Sequence, residues 1–414
     1  MSLRRPPAPP PWAAQLFAVG ITGTNGKSST TTAVAALLGE LARPVARMTT
    51  IGCYLDERRL DVRAHYDGFL TTMRQGLQQG GRYAAIELTS EALALGFAQS
   101  WPFRVGVFTN LSHDHSDAHG TPEHYLAAKA QLFMALPPGG SAVLNAGDPH
   151  SELIAEVVPA GVEIIRYAVP SSRTAEGTKA DLCAHSVRIG MAGTSFELEG
   201  SPRFPELPRH GSIQALGEVF VENAVAALAA ALLASVPPAA AVRALAALPP
   251  LAGRFELVCE RPYVVVDYAH TPDALTRTLA TARKLCAGRL TLVFGAGGNR
   301  DRAKRPLMGA AARSADRVVL TSDNPRDEDP RAIIAEIAVG VAHHDDVRCV
   351  PDRREAIEHA VSSAGGQDWV LIAGKGHEQE QESAGQKSAF SDVAIARAAH
   401  AASARTWPRN SVPG

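Results

Sequence analysis

Leu16-Phe17-Ala18-Val19-Gly20-Ile21-Thr22-Gly23-Thr24-Asn25-Gly26-Lys27-Ser28-Ser29-Thr30 decides how the rest of the chain is read. Residues 16–21 form a short apolar run. Glycine and asparagine punctuate residues 23–26, and from Ser28 an apolar-periodic stretch continues to Leu41. That order predicts strand, loop, helix. Gly23 and Gly26 let the backbone curl so that its N–H groups point inward. The helix N-terminus behind them favours an anion. In such a loop a lysine reaches terminal phosphates and a hydroxyl holds Mg²⁺. Gly23, Thr24, Asn25, Gly26, Lys27, Ser28 and Ser29 are therefore candidate nucleotide-binding residues. The longer form of the loop carries a glycine five residues before Gly26. Ile21 stands there, with Gly20 one position off, so this is a shorter variant. An ordinary Gly-Asn turn capping a helix is the plainer alternative.

The same rhythm runs outward from this segment. Tyr83-Ala84-Ala85-Ile86, Val105-Gly106-Val107-Phe108 and Ser141-Ala142-Val143-Leu144 read as buried strands. They end in polar residues: Glu87 with Thr89 and Ser90, Thr109-Asn110, and Asn145. Open parallel sheets gather ligands at such carboxyl ends. From about Ser151 to Pro208 the pattern weakens to short β-like runs. An Ala-rich helix then runs to Pro237-Pro238, and a second pair, Pro249-Pro250, marks a domain boundary. Beyond it Val264–Asp267, Leu290–Phe294, Arg317–Thr321 and Trp369–Ile372 read as new strands with helical segments between them. The expected fold is α/β. A central P-loop-type parallel-sheet ATPase domain (16–250) is followed by a smaller Rossmann-like α/β domain (251–400), with tails at 1–15 and 401–414.

With 46% hydrophobic and 20% charged residues, 414 residues suffice for two or three globular cores. The net charge of −1 argues against a protein that neutralises nucleic-acid phosphates. The five cysteines are scattered, with no CxxC pair, and suit a reducing compartment better than a disulfide frame or zinc site. Arg4 and Arg5 precede a Pro/Ala run, not a signal sequence. The Ala-rich stretch from Ala224 to Val236 is too short to span a membrane. A cytoplasmic location and no membrane partner are the default expectation.

Further segments share an order with one family. Thr109–Gly120 includes Asn110, Asp114, His115, Asp117 and His119; Tyr125–Phe133 includes Lys129. Val266–Leu275, Phe294–Asp301, Lys304-Arg305-Pro306, Asp323-Asn324-Pro325-Arg326 and Gly374-Lys375-Gly376-His377-Glu378 come after them. With the Gly-Thr-Asn-Gly-Lys loop, these resemble the Mur ligase family from about residue 18 to 395. The last two are similar to the branch that adds meso-diaminopimelate to UDP-N-acetylmuramoyl-L-Ala-D-Glu in cell-wall biogenesis.

The resemblance implies an ATP-dependent, ADP-forming ligase that activates a carboxylate as an acyl phosphate, which an amino acid's amine then attacks. Two anions must meet, so cations are needed, and Mg²⁺ with lysine supplies them. By resemblance Lys27, Glu87, His115 and Lys129 are catalytic. Ser28 and Glu87 hold one Mg²⁺. His115 and a carbamylated Lys129 hold a second. Carbamylation needs a neutral amine. Asn145, Arg254, Asp267, His270 and Lys304 join the loop in holding ATP, and Asp148 is placed beside Asn145. Arg300, Asp323, Asn324, Arg326, Gly374 and Glu378 form the amino-acid pocket. There Arg326 takes the second carboxylate bidentately. Thr71, Thr72 and Thr89 lie on the acceptor side. Taken singly, Lys129 reads equally as a surface lysine, the His115 cluster as a polar turn, and Asp323–Arg326 as a plain β-turn.

The acceptor half departs most from the family. Met73 replaces a proline after the two threonines, Glu91 replaces a histidine, and Phe97 replaces an arginine. Only about twenty residues precede the loop, where the family carries a UDP-binding domain. The resemblance therefore leaves open a non-UDP acceptor of peptide or polyglutamate type, as in folylpolyglutamate synthase or the Mur-like half of cyanophycin synthetase. It also leaves open a partner protein supplying the UDP-binding domain. A non-catalytic ATP-binding scaffold and a plain P-loop ATPase are the readings from other classes. The second leaves the C-terminal motifs unexplained.

Overall fold

The computed structural model describes residues 6–62, 65–112, 120–170 and 180–403. Two compact units divide the chain, which passes from the first to the second between Pro249 and Pro250.

The first unit is built on one sheet. Its strands are β1 (Phe17–Thr22), β2 (Ala46–Thr49), β3 (Gly52–Leu55), β4 (Arg58–Arg59), β5 (Tyr83–Glu87), β6 (Phe103–Phe108), β7 (Ser141–Asn145), β8 (Glu163–Ala168), β9 (Leu182–Gly190), β10 (Gly193–Gly200) and β11 (His210–Ile213). Their spatial order is β11-β10-β9-β8-β7-β6-β1-β5-β2-β3-β4. From β2 to β9 the neighbours run parallel, and antiparallel hairpins extend both edges. β1 lies at the centre with both faces covered, which is why it reads as an unbroken apolar run. Val19 and Ile21 face the helices Lys27–Leu38 and Glu218–Leu233, while Ala18 faces the opposite core. A Cβ on Gly20 would stand 2.9 Å from both Leu132 Cδ1 and Phe103 Cδ1. Gly20 thus lets the helix Pro122–Met134 lie close on the sheet.

The short β-like runs between Ser151 and Pro208 are β8, β9 and β10, which follow the short helix His150–Glu156. β9 alternates buried and exposed positions because it is covered on one side only, which shortens its apolar runs. Residues 6–15 are not a loose tail. Pro11–Gln15 forms a 3₁₀ turn with Ala13 buried. Trp12 meets Trp101 edge-on at 5.9 Å, and Ser100 Oγ donates to the Pro6 carbonyl at 3.1 Å.

The second unit holds β12 (Glu256–Cys259), β13 (Tyr263–Asp267), β14 (Leu290–Phe294), β15 (Arg317–Leu320), β16 (Val347–Cys349) and β17 (Trp369–Ala373), in the order β12-β13-β17-β14-β15-β16. All neighbours are parallel except the edge strand β12. A hairpin, β18 (Glu380–Ser383) with β19 (Gln386–Ala389), follows β17. The carboxyl ends of β15 and β17 are tied by one side chain. Arg353, fully buried, donates to the carbonyls of Ser322 (3.1 Å) and Ala373 (2.9 Å). Its fork also binds Asp392 bidentately, at 2.8 and 2.7 Å. A buried pair satisfied in this way is costly to break from one side. Asp392→Ala is predicted to destabilise the second unit by about 3–5 kcal/mol. Amide exchange should speed up across β15 and β17; unchanged protection there would contradict the assignment.

Candidate active site

The loop after β1 is held from below by the end of β6. Asn110 brackets one residue. Its Oδ1 accepts from Asn25 N at 2.9 Å and its Nδ2 donates to Asn25 O at 3.1 Å. Thr109 Oγ1 donates to the same Asn25 carbonyl at 2.7 Å, and Thr24 N donates to Asn110 O at 2.8 Å. Gly26 then turns at φ 83°, in the left-handed region, directly before the helix Lys27–Leu38. A Cβ there would run into the amide of buried Asn223, whose Oδ1 also accepts from Thr30 Oγ1. The turn therefore needs glycine for both its conformation and its close approach. The helix that follows has no side-chain cap at its N-terminus, as an anion site requires.

Two lysines converge on the loop carbonyls. Lys27 Nζ donates to Gly23 O (3.0 Å) and Thr24 O (2.8 Å), and buried Lys129 donates to the same Gly23 O at 2.8 Å. Lys129 Nζ also lies 4.1 Å from the centre of the Tyr125 ring. Ser28 Oγ donates to Glu87 Oε2 at 2.7 Å, and Glu87 is oriented by Thr50 through N (3.1 Å) and Oγ1 (3.3 Å). A hydroxyl and a carboxylate side by side at the loop suit Mg²⁺, which takes hard oxygen ligands. Among the described residues no cluster of three or more His, Cys, Asp or Glu side chains fits a metal. His115 lies outside the described residues, as do Asp114, Asp117 and His119.

Other expected residues make local contacts. Asn145 Nδ2 donates to Thr109 O at 2.7 Å and its Oδ1 accepts from Gly147 N, so its amide shapes the turn after β7. Asp148 accepts from Leu111 N at 2.7 Å. Thr71 and Thr72 sit on the helix Tyr66–Gln78, and their hydroxyls bond back to Asp67 O and Gly68 O. Thr72 is fully buried. Thr89 caps the helix Ser90–Ala94.

In the second unit Asp267 is buried. Its oxygens accept from Phe255 N (2.7 Å) and Ala269 N (2.8 Å), so its carboxylate holds the backbone on both sides. Arg254 lies with Cζ 4.2 Å from the centre of the Tyr268 ring, and its buried Nε has no hydrogen-bond partner. His270 meets Tyr268 edge-on at 4.6 Å. Lys304 opens the helix Lys304–Ala312 and is buried.

The amino-acid candidates do come together, at the carboxyl ends of β14, β15 and β17. A Cβ on Gly297 would lie 3.1 Å from Arg326 Nη1 and 3.6 Å from Arg300 Cγ. Arg326 Nη1 donates to Gly298 O at 2.7 Å, and its Nε lies 3.4 Å from Glu382. Asn324 Nδ2 donates to Glu378 Oε2 at 2.9 Å. A Cβ on Gly374, at φ 116°, would meet the Asp323 carboxylate at 2.5 Å. Lys375 and Glu382 complete this cluster, and neither was a sequence candidate. Lys375 stood inside a quoted motif, between two glycines, and that spacing was its only signal.

A P-loop-like turn at the end of a central parallel strand, with a hydroxyl and a carboxylate beside it, defines a nucleotide-dependent α/β enzyme. The family models for the Mur ligase middle domain and the Mur ligase glutamate ligase domain match residues 21–231 and 253–376. The UDP-N-acetylmuramoyl-L-alanyl-D-glutamate–2,6-diaminopimelate ligase of Synechocystis is 40% identical over 396 residues, covering 94% of this chain and 76% of the relative. The ligase of the same name from Synechococcus elongatus is 38% identical over 395 residues, covering 94% and 77%. A solved structure of a ligase of that name superposes with TM-score 0.63 at 35% identity, covering 94% of this chain and 78% of that one. Mycobacterium tuberculosis folylpolyglutamate synthase shares the fold, with TM-score 0.69 at 21% identity, covering 93% and 90%. The chain belongs to the Mur ligase family, whose members are ATP-dependent, ADP-forming ligases, and is itself an enzyme of that class. Among the described residues no helix is long and apolar enough to cross a membrane.

Two outcomes are expected. Gly26→Ala meets a left-handed penalty of roughly 1–2 kcal/mol plus the clash with Asn223. ADP affinity by titration calorimetry should fall about tenfold or more; unchanged affinity would contradict the loop assignment. Near Arg300, Glu328 accepts from Asn299 N, and its hydrogen bond from Arg305 holds its carboxyl down at about 2. A depressed carboxyl stabilises fully above its ordinary value, and that contribution is lost as pH falls through the folded value. An NMR titration should show Glu328 protonating near pH 2, and Arg305→Met should move it up to the usual range for glutamate. A midpoint unaffected by the substitution would contradict the pairing.

Proposed function

We propose that this chain couples meso-diaminopimelate to a carboxylate acceptor, with ATP activating the acceptor as an acyl phosphate. The observation that carries the amino-acid assignment is the convergence of Arg300, Asp323, Asn324, Arg326 and Glu378 around one set of strand ends. A diamino dicarboxylic acid offers a second carboxylate for the Arg326 guanidinium and a second ammonium for Glu378. Lysine offers no second carboxylate, so Arg326 would favour the dicarboxylate. The named function of the relatives supports the same reading.

In the first half-reaction an acceptor carboxylate oxygen attacks the γ-phosphorus and ADP leaves. The loop N–H groups and Lys27 hold the phosphates and stabilise their charge. Ser28 and Glu87 are the residues that would hold Mg²⁺, which when bound neutralises phosphate charge. In the second half-reaction the amine attacks the acyl carbon, inorganic phosphate leaves, and the nitrogen loses a proton. Arg254, with one guanidinium N–H lacking a partner, is suited to a phosphate or ribose oxygen, and His270 and Lys304 are assigned to the nucleotide with it. As an amine Lys129 is a donor, not a metal ligand. A second ion, held with His115, would therefore need Lys129 as its carbamate. The protein's acceptor is assigned as the UDP-linked muramoyl dipeptide on the strength of the relatives. Glutamyl peptides without the nucleotide are the comparison arm.

A phosphate-release screen tests this reading. Release should require ATP, an acceptor and meso-diaminopimelate together, and Arg326→Ala should raise KM for the diamino acid by about 10–100-fold. Absence of stimulation by meso-diaminopimelate with any acceptor overturns the assignment. Lys129→Ala should abolish turnover, and retention of full activity would rule out a catalytic carbamate.

A further inference from the structure

Lys375 has no place in the chemistry above, yet its side chain is fully buried. It lies between Gly374 and Gly376, both at positive φ, directly after β17. Its ammonium donates to Asn324 Oδ1 at 2.9 Å and to Glu378 Oε2 at 2.8 Å. Asn324 Oδ1 accepts a second bond from Glu382 N at 3.0 Å. With two donors on that oxygen, the amide has one orientation, and Nδ2 must face Glu378. Glu378 Oε2 is then occupied by Lys375 and Asn324 together, leaving Oε1 to meet a ligand. Desolvated charge-assisted bonds of this kind are among the strongest a side chain makes.

We propose that Lys375 is a positioning residue of the amino-acid site, fixing the Asn324 amide and the Glu378 carboxylate so that Glu378 Oε1 receives the ammonium at the far end of the substrate. This rests on the amino-acid assignment made above. Lys375 acts on the ammonium side of that end, whereas Arg326 acts on the carboxylate side. The pocket thereby distinguishes a second ammonium from a hydrogen as well as a second carboxylate from a hydrogen. Lys375 itself need not touch the substrate, because its two hydrogen bonds go to Asn324 and Glu378, the residues that do.

The test compares meso-diaminopimelate with 2-aminopimelate, which keeps both carboxylates and the attacking amine but lacks the far ammonium. The wild-type enzyme should favour the diamino acid in kcat/KM by at least tenfold. Lys375→Met should raise KM for meso-diaminopimelate at least tenfold and leave KM for 2-aminopimelate and for ATP within about threefold, so that the preference collapses. Lys375→Gln, close in size and still a donor, should restore part of the preference; it also serves if the methionine variant does not fold. Equal increases for both amino acids, or an undiminished preference in both variants, would overturn the positioning role. No response of the wild-type enzyme to meso-diaminopimelate would sink the amino-acid assignment, and this inference with it, a result separable from the former by the wild-type rates alone.

Discussion

Asn110 grips both sides of Asn25, one bond to the peptide N–H and one to the carbonyl. The phosphate loop depends on this contact more than on its own glycines. Gly23 and Gly26 permit the turn, but permission does not select one conformation. The asparagine at the end of β6, with Thr109 beside it, selects it. β1 and β6 are neighbours in register, Thr22 opposite Phe108, so the two loops leave the sheet side by side. Both lysines and the Ser28–Glu87 pair are then referred to a loop whose backbone is already fixed. Fixed donors aimed at developing charge stabilise it without reorganisation.

The second unit has the same plan with different groups. Arg353 and Asp392 hold the ends of β15 and β17 at fixed spacing. On that base the Arg326 main chain adopts φ 50°, tied to the hairpin through Glu382 O and Ala384 N. Arg326 is thereby held between two elements, and its guanidinium is placed by Gly298 O and Glu382. Opposite charges border the cluster: Arg300, Arg326 and Lys375 against Asp323, Glu378 and Glu382. Such a balance suits a zwitterion better than a simple anion.

Much of this was legible in the chain. β1, β5, β6, β7, β13, β14, β15 and β17 were found because central parallel strands are buried on both faces and so are continuously apolar. The loop was found because Gly-Thr-Asn-Gly-Lys between a strand and a helix has few other uses. β9 and β10 showed only as short β-like runs because a sheet edge alternates weakly and its strands include charged residues. The packing of the N-terminal proline run was not legible for a related reason: Trp12 carries it, and one aromatic residue leaves no periodic signal. Side-chain roles were harder still. Asn110 and Lys375 act on residues 85 and 51 positions away, a pairing that only the folded sheet creates. Thr72, a motif threonine, bonds back within its own helix, a local contact that sequence spacing does not show.

The central claim is that the loop and Glu87 serve the activation of a carboxylate by ATP, not hydrolysis alone. The direct measurement uses UDP-N-acetylmuramoyl-L-Ala-D-Glu, or a glutamyl peptide in its place, labelled with ¹⁸O in the free γ-carboxylate of its glutamate, with ATP and meso-diaminopimelate. Each phosphate released is predicted to carry one oxygen from that carboxylate, seen by mass spectrometry or as an isotope shift in the phosphorus NMR line. Phosphate free of label, released at the same rate as product, would contradict it.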